Sequence, residues 1–570
     1  MLLSTLQLDA HVDCWEYAGE GGKHTIFSYS RPARVPSDYV SPRPTTWTAA
    51  LENGDSGKNI RDVCPFEGTV LRIEKKHLAM SEFVTERIRV RNDISGGEQN
   101  KNQGSSRKST LYHDTVYVQS YVAPSMESYV NSGESVPLSW SFLRKMRAKT
   151  IEMERVPVAR KKDWFWAGKS RSRLPEVTEI PYGVILPDYR LPMAKQAPRT
   201  SAQYTQFPST TIAIELKPKA GYLAFSPLVD PMHRVKYMES RFVTLQHLYK
   251  EGLITKGWIS GGRSPFTITT YDPLDLFSGD TDRIRKSIRS LLSNCQNNMR
   301  VWLDGTQMLG LGADANSSTT EHAMLNSKSA KGFKWKDMVL ESLSEILSKE
   351  SILQKMLAIQ KLDILDADGA SLVFQSMVKH CGGSFVDAER DIDGCKESSM
   401  NRHKASIHPL FRHSPFSLPL QHGGLISLCE EIENFSRVLD SSQSVSKNAL
   451  SGAKLDQLRH QAIKCVAELS YDECQYLLKN WLLSSALCDA SIFCTCEVAP
   501  SSALASPPIA LEGTSMSKIF IGEDDAEHIV RYQLRLTDCG SKPARKLRCL
   551  EEREFPFRLR KISAQDKEGI

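Results

Sequence analysis

The sequence predicts a mixed α/β protein of the α+β type, built from two lobes. Runs of β-forming residues bounded by glycine or proline occur within residues 1–225, and they predict a mainly β N-terminal lobe. Apolar residues at three- and four-residue spacing follow, and they predict a larger, mainly helical C-terminal lobe over residues 226–570. A chain of 570 residues is long enough for two such lobes.

The strands of the N-terminal lobe are interrupted by a polar and basic insert at about 92–174. Strand patterns lie at 13–30, where a glycine turn separates two strands, and at 68–76, 182–189 and 211–217. Within the insert, residues 158–174 combine six basic residues with three aromatic ones. A basic and aromatic patch of this kind is compatible with RNA binding. We favour a solvated basic loop, so no nucleic-acid partner is required.

Helical periodicity dominates the C-terminal lobe, which ends with strands. Helices are predicted at 240–250, 280–295, 334–349, 352–365, 453–469 and 471–487, and strands at 491–498 and 528–538. Residues 381–424 are rich in His, Ser and Pro and are predicted to form an irregular insert.

Bulk composition excludes several classes of protein. Hydrophobic residues make up 40% and charged residues 25%, as in ordinary globular proteins, and the net charge of +6 is too small for a bulk nucleic-acid binder. The 13 cysteines are scattered and odd in number, which favours a reducing compartment. No signal peptide is recognisable at the start. The most apolar stretch, 477–497, is interrupted by Lys479 and Asp489. We therefore expect a protein without membrane spans, in the cytoplasm, the nucleus or both.

The segment TTIAIELKPKAGY, residues 210–222, places three charges at the end of a strand. Side chains alternate faces along a strand, so Glu215, Lys217 and Lys219 are expected to share one face. Pro218 stops further ladder pairing. Two neighbouring ammonium groups repel each other unless an anion lies between them. This spacing alone fits equally a phosphate-binding site and a solvated, charged turn.

Longer motifs identify a family. IELKPKAGYL resembles the E-x-K-P-K motif of the inositol-pentakisphosphate 2-kinases. Further blocks resemble that family in the same order: SRFVTLQHLYK (240–250), YDPLDLFSGD (271–280), QNNMRVWLDG (296–305), IQKLDILDADGA (359–370), LCDASIF (487–493) and LTDCGSKPARK (536–546). The similarity extends from about residue 13 to residue 550.

The resemblance implies a two-lobed fold, distantly similar to protein kinases, and an enzyme that transfers the ATP γ-phosphoryl group. The acceptor would be the 2-hydroxyl of inositol 1,3,4,5,6-pentakisphosphate, and the product inositol hexakisphosphate (phytate). The substrate carries on the order of eight negative charges, so many cations must converge on it. Two alternatives stay open: a kinase for another inositol polyphosphate, and a non-catalytic scaffold that binds inositol phosphates. The expected partners are inositol pentakisphosphate and ATP, and the protein is expected to be a monomer.

The resemblance also implies which residues bind ATP and magnesium. The G-E-G-G loop would cover the phosphates, although Lys23 and His24 stand where the family usually has Ala-Asn. Pro187-Asp188-Tyr189 corresponds to the hinge between lobes, and Asp538 to the aspartate that holds Mg²⁺. The residue two after Asp538 is usually Ser in the family and is Gly540 here. The full implied ATP set is Gly19, Gly21, Gly22, Lys23, His24, Arg72, Asp188, Tyr189, Glu215, Lys217, Asn298 and Asp538.

A second set of residues is implied to bind the inositol phosphate. Asp489 would be the general base that accepts the proton of the 2-hydroxyl. It lies in an apolar run, and we expect its carboxylate to be buried. Lys542 and Lys546, four residues apart, are expected to face one side of a helical turn. The substrate set is Arg173, Lys219, Lys250, Asn297, Asp489, Lys542 and Lys546, and Arg171 competes with Arg173.

Plant members of the family carry a His-Cys-Cys-His zinc site, and this chain departs from it. Leu372 stands where the first histidine would fall, and no C-x-x-C follows. His380, Cys381, Cys395, His403, His408 and His413 do not have the spacing of a standard site. Cys494 and Cys496 alternate along a strand, as core residues do. A structural zinc ion is therefore not expected.

Overall fold

A computed structural model describes the parts of the chain that carry its two sheets and most of its helices. It describes residue 8, residues 11–20, 24–30, 66, 68–74, 110–131, 133–154, 181–193, 210–254, 268–310, 335–393, 408–417, 423–444, 452–503, 514–521 and 526–559. The chain divides into two compact units, Met1–Val116 with Ser132–Phe207, and Tyr117–Asn131 with Pro208–Ile570.

The first unit contains a five-stranded antiparallel sheet. Its strands are β1 (Trp15–Glu20), β2 (His24–Tyr29), β3 (Thr69–Glu74), β4 (Glu134–Pro137) and β5 (Tyr182–Pro187), in the order β1-β2-β3-β5-β4. Trp15, Phe27 and Leu71 are fully buried in its core. Helix α1 (Thr110–Tyr117) precedes the passage into the second unit, and α3 (Trp140–Glu154) belongs to the first. The predicted strands are confirmed, whereas β4 and α3 show that the predicted insert includes regular structure.

The second unit contains a six-stranded antiparallel sheet, in the order β10-β11-β9-β6-β7-β8. The strands are β6 (Thr210–Leu216), β7 (Met299–Leu303), β8 (Thr306–Leu309), β9 (Ser491–Pro500), β10 (Ser515–Ile521) and β11 (Ala526–Thr537). Because β6 lies between β7 and β9, it belongs to this unit, although the sequence places a boundary at residue 225. The mixture of antiparallel sheets and helices confirms the α+β class.

The second unit also contains helices, several of which share one hydrophobic core with its sheet. They are α2 (Ala123–Met126), α4 (Arg241–Lys250), α5 (Pro273–Leu276), α6 (Thr281–Ser293), α7 (Trp335–Lys349), α8 (Ile352–Gln360), α9 (Asp366–His380), α10 (Phe385–Asp393), α11 (Gly423–Ser444), α12 (Gly452–Ala467), α13 (Tyr471–Asp489) and α14 (Leu550–Leu559). Within the parts of the chain that the structure describes, no helix is both long and apolar enough to cross a membrane.

Two predictions for the C-terminal lobe, one of a helix and one of an irregular insert, differ from the structure. The helix expected at 352–365 ends at Gln360, because the Asp363 carboxylate accepts hydrogen bonds from the N–H groups of Leu365 and Asp366 and forms a turn. Asp366, the first residue of α9, has a φ of 57°, so the backbone is left-handed between the two helices. The insert at 381–424 is not irregular throughout, since it contains α10.

Gly221 is required where the chain leaves β6. A Cβ at this position would overlap the buried ring of Phe277. We expect Gly221→Ala to lower the free energy of unfolding by about 1–3 kcal/mol, the usual cost of overpacking a core. Urea denaturation measures the change. Gly423→Ala is the matched control, because a Cβ there meets nothing within 4 Å and α11 begins at this residue. Equal stabilities of the two variants would contradict the expectation.

Candidate active site

The end of β6 carries a carboxylate and an ammonium group that contact each other. Glu215 is buried and accepts hydrogen bonds from Ser491 Oγ at 3.1 Å and Arg300 Nη1 at 3.2 Å. Lys217 Nζ lies 4.0 Å from Glu215 Oε1 and 3.7 Å from Asp538 Oδ2. The structure thus brings together three of the residues implied to bind ATP. Lys217 is thus shared between two carboxylates. Its ammonium group could bind an anion, and the carboxylates could bind a cation.

Lys219 reaches the site through a left-handed turn. The strand ends at Leu216, and Lys219 has a φ of 65°. The prediction that Lys219 continues the alternation of faces along the strand is therefore wrong. A residue other than glycine in this region costs about 1–2 kcal/mol. Such backbone strain persists only where the surroundings hold it, and it is concentrated at functional sites.

Asp489 lies at the last position of α13 and binds Lys542. Lys542 Nζ donates a hydrogen bond to Asp489 Oδ2 at 2.9 Å. Partial burial raises the pKa of the Asp489 carboxyl, but attraction to Lys542, then to Lys219 and Lys546, outweighs it and lowers the pKa to about 2. Three of the lysines implied to bind substrate therefore act on this one carboxylate, and Lys542 contacts it directly.

The expected burial of Asp489 is corrected by the structure. Its side chain is 52% exposed, although Leu487 and Ala490 on either side of it are fully buried. Desolvation still raises the pKa of the carboxyl, against the attraction of the lysines. An accessible carboxylate among lysines suits contact with a ligand better than a buried one would.

The same electrostatic coupling acts on Lys219. Burial lowers the pKa of its ammonium group, Asp489 opposes this decrease, and the neighbouring charges of Lys217 and Lys542 lower the pKa further. Cations that lower one another's pKa are held close together at a cost in free energy. An anionic ligand would relieve this repulsion.

Asp538 and the lysines after it follow directly from β11. Asp538 has a φ of 59° and a partly exposed side chain. The helical turn expected to carry Lys542 and Lys546 is corrected: a 3₁₀ helix spans Ala544–Cys549, and Lys542 precedes it. Pro543 separates the two lysines into different conformations. Both nevertheless act on the same carboxylate, Asp489.

Asn298 offers an amide group without a partner. It is 1% exposed, and neither Oδ1 nor Nδ2 has a hydrogen-bond partner in the described residues. Its backbone carbonyl accepts a hydrogen bond from the N–H of Lys217 at 2.8 Å, which fixes it beside the charged end of β6. An unpaired buried amide is costly, so this position fits a ligand contact.

For Asn297 and Lys250, which are also implied to bind substrate, the structure gives no hydrogen bond or ion pair with the described residues of this cluster. Asn297 is half-buried next to Asn298. Lys250 is exposed at the end of α4, and the structure gives its ammonium group no hydrogen bond or ion pair with a described residue. Arg171 and Arg173 lie outside the described residues.

The remaining ATP-binding predictions fall in the first unit. Gly19 is in β1, His24 in β2 and Arg72 in β3, whereas Gly21, Gly22 and Lys23 lie outside the described residues. The Asp188 carboxylate accepts two hydrogen bonds from the Arg190 guanidinium, at 2.8 and 2.7 Å, and the Asp188 N–H donates to Gly68 O. Tyr189 is buried beside it. The Asp188 carboxylate is thus paired within its own unit, and its contact with a nucleotide stays a prediction.

Sequence reasoning missed two residues of the site, Arg300 and Ser491. Both bind the Glu215 carboxylate, and Arg300 lies directly opposite Glu215 in the pairing of β6 with β7. Arg300 is part of the Q-N-N-M-R-V block, so the motif contained the signal. That Arg300 contacts Glu215 follows from the register of β6 with β7, and the sequence does not reveal that register.

The histidines and cysteines considered for zinc have other contacts or are not described. The Nε2 atom of His380 lies 3.0 Å from Leu469 O, and His408 Nδ1 accepts a hydrogen bond from the N–H of Leu410. Cys395 and His403 lie outside the described residues. No group of three metal-ligating side chains occurs in the described part of the chain. Cys494 and Cys496 are buried core residues, as predicted.

The Asp489 carboxylate interacts with three lysines, and Lys217 contacts a second carboxylate, Asp538. Clustered cations of this kind suit the binding of a phosphate-rich anion. The chain belongs to the inositol-pentakisphosphate 2-kinase family, since the model of that family matches residues 17–554.

Relatives with that name occur in plants and vertebrates. Inositol-pentakisphosphate 2-kinases of Oryza sativa subsp. indica and Danio rerio are 35% identical over 175 residues and 31% identical over 189 residues. These matches cover 30% and 33% of this chain, and 37% and 32% of the relatives. One from Arabidopsis thaliana is 25% identical over 404 residues, which is 70% of this chain and 74% of the relative. The chain thus spans little more than a third of the rice relative.

Removing Lys542 is expected to raise the pKa of Asp489. Lys542 is the first of the attractive contributions that hold this pKa at about 2, so Lys542→Met should move it towards the ordinary value of about 3.9. Carbon-13 NMR of labelled aspartate carboxyls measures the titration. Lys546→Met is the matched control and should cause a smaller rise, since Lys546 contributes least of the three lysines. An unchanged Asp489 titration in Lys542→Met would contradict the electrostatic account.

Proposed function

We propose that this protein is an ATP-dependent kinase that phosphorylates the 2-hydroxyl of inositol 1,3,4,5,6-pentakisphosphate to give inositol hexakisphosphate. Membership in the family of that name supports the reaction. The observation that carries the proposal is the convergence of Lys219, Lys542 and Lys546 on Asp489. Such a cluster suits the charge of a polyphosphate, and Asp489 would accept the proton of the acceptor hydroxyl.

Glu215, Lys217, Asn298 and Asp538 would bind the nucleotide and magnesium. The Asp538 carboxylate is an oxygen ligand of the type that Mg²⁺ prefers, and Lys217 beside it suits a nucleotide phosphate. The unpaired amide of Asn298 offers two N–H donors on Nδ2 and an acceptor oxygen, Oδ1. When bound, Mg²⁺ neutralises charge on the phosphates and so favours phosphoryl transfer. Glu215, fixed by Arg300 and Ser491, keeps Lys217 oriented.

Lys219, Lys542 and Lys546 would bind phosphates of the inositol ring, and Lys250, Asn297 and Arg173 are proposed to extend the site. Lys542 binds Asp489, which weakens the carboxylate as a base. A substrate phosphate would compete for Lys542. The pKa of Asp489 would then rise, and the carboxylate would accept the hydroxyl proton more readily.

Incubation of the purified protein with ATP, Mg²⁺ and inositol pentakisphosphate tests the proposal. Phosphorus-31 NMR should identify inositol hexakisphosphate, formed in step with ADP. Other inositol polyphosphates serve as competing substrates. Preferential phosphorylation of one of those would favour the alternative substrate, and binding without any turnover would favour a scaffold.

A further inference from the structure

The side chain of Gln360 connects two parts of the candidate site. Gln360 is the last residue of α8 and is completely buried. Its Oε1 accepts a hydrogen bond from the N–H of Gly221 at 2.9 Å. Its Nε2 donates to the carbonyl oxygen of Lys219 at 3.0 Å and to that of Leu487 at 3.4 Å. The acceptor and both donor positions of the amide are therefore used.

Each of these contacts falls beside a residue of the candidate site. The turn from Lys219 to Gly221 begins with the left-handed backbone of Lys219, whose ammonium group interacts with Asp489. Leu487 lies in the last turn of α13, two residues before Asp489. Carbonyl groups in a helix's last turn have no partner within the helix, so a donor from outside fixes that end. One planar amide thus joins the turn that carries the lysine to the helix end that carries the carboxylate.

We propose that Gln360 is a positioning residue that fixes Lys219 relative to Asp489. The inference rests on the proposed function for its consequence in catalysis, but the contacts themselves do not depend on it. Gln360 does not touch the substrate in this account. It acts through the backbone of the two elements whose side chains do, and it stabilises a strained conformation at Lys219 that would relax without it.

Two substitutions remove the connection in different ways. Gln360→Met keeps the length of the side chain but removes all three hydrogen bonds. Gln360→Glu keeps the acceptor for Gly221 and removes both donors. Leu478→Ala is the control for general loss of stability, because Leu478 is buried in α13 far from Asp489 and makes none of these contacts. Denaturation curves identify which variants are folded.

Hydrogen–deuterium exchange of the ligand-free proteins tests the connection itself. Amides of 219–222 and 486–490 should exchange at least about tenfold faster in the Gln360 variants than in wild type or Leu478→Ala. Equal exchange in a folded Gln360 variant and in Leu478→Ala would overturn the proposal. Failure of both Gln360 variants to fold, where Leu478→Ala folds, would also overturn it, since Gln360 would then be a determinant of folding.

Steady-state kinetics tests the consequence for catalysis. We expect kcat/KM for inositol pentakisphosphate to fall by about 100-fold in the Gln360 variants, the effect of misplacing reacting groups by about 1 Å. The KM for ATP should stay within about twofold of wild type. A decrease no larger than that of Leu478→Ala would overturn the catalytic role. If wild type itself does not phosphorylate inositol pentakisphosphate, the proposed function fails, while the exchange experiment still decides whether Gln360 fixes the turn.

Discussion

Asp489→Asn is expected to lower kcat for inositol pentakisphosphate by about 10²–10⁴-fold, the usual contribution of a general base. The amide cannot accept the hydroxyl proton at neutral pH. Binding should respond in the opposite sense. The variant removes a negative charge that lies among three lysines, so affinity for the anionic substrate should be retained or increased. Rapid-quench kinetics gives kcat. Calorimetry gives the dissociation constants of inositol pentakisphosphate and of ATP.

A matched control separates this role from a general effect of losing a carboxylate. Asp456→Asn makes the same substitution at an exposed aspartate of α12. Asp456 binds Arg234 and makes no hydrogen bond or ion pair with the described residues of the candidate site. It should leave kcat unchanged. Turnover retained in Asp489→Asn would remove Asp489 from the role of base. A loss of ATP affinity equal to the loss of kcat would instead indicate damage to the nucleotide site.

Asp538→Asn is expected to lower kcat/KM by about 100- to 1000-fold, because a metal ligand contributes several kcal/mol to stabilising charge in the transition state. Asparagine tolerates the left-handed backbone that Asp538 adopts, so the substitution tests the charge and not the conformation. Binding of Mg²⁺ with an ATP analogue should weaken, whereas binding of inositol hexakisphosphate should be retained. Calorimetry with each ligand measures both.

Asp304→Asn is the control for Asp538→Asn. Asp304 also has a left-handed backbone, with a φ of 46°, and it lies between β7 and β8, where its carboxylate accepts a hydrogen bond from the N–H of Thr211. Activity should stay near that of wild type. Equal magnesium-nucleotide affinity in wild type and Asp538→Asn would exclude Asp538 as the metal ligand.

Local patterns in the sequence predicted most of the regular structure. The strands β1 and β2, the period of α6 and the apolar run of α13 depend on neighbouring residues, so the sequence displayed them directly. Among the residues implied by the family motifs, Lys219, Lys542 and Lys546 all act on the Asp489 carboxylate, although they come from distant parts of the chain.

The features that could not be predicted depend on contacts distant in sequence. The partners of β6 became known only from the register of the sheet, and with them the contact of Arg300 with Glu215. The left-handed turn at Lys219 is stabilised by Gln360, far along the chain. No pattern of composition or spacing records such backbone contacts. The exposure of Asp489 likewise depends on where α13 ends in space, and the apolar letters around it suggested the opposite.

A crystal structure of the protein with inositol hexakisphosphate and ADP tests the central claim most directly. The account predicts that the ammonium groups of Lys219, Lys542 and Lys546 bind phosphates of the same ring. It also predicts that the phosphate at the 2-position lies next to Asp489. A ring bound elsewhere, with Lys542 still attached to Asp489 and no phosphate near Lys219, would contradict it.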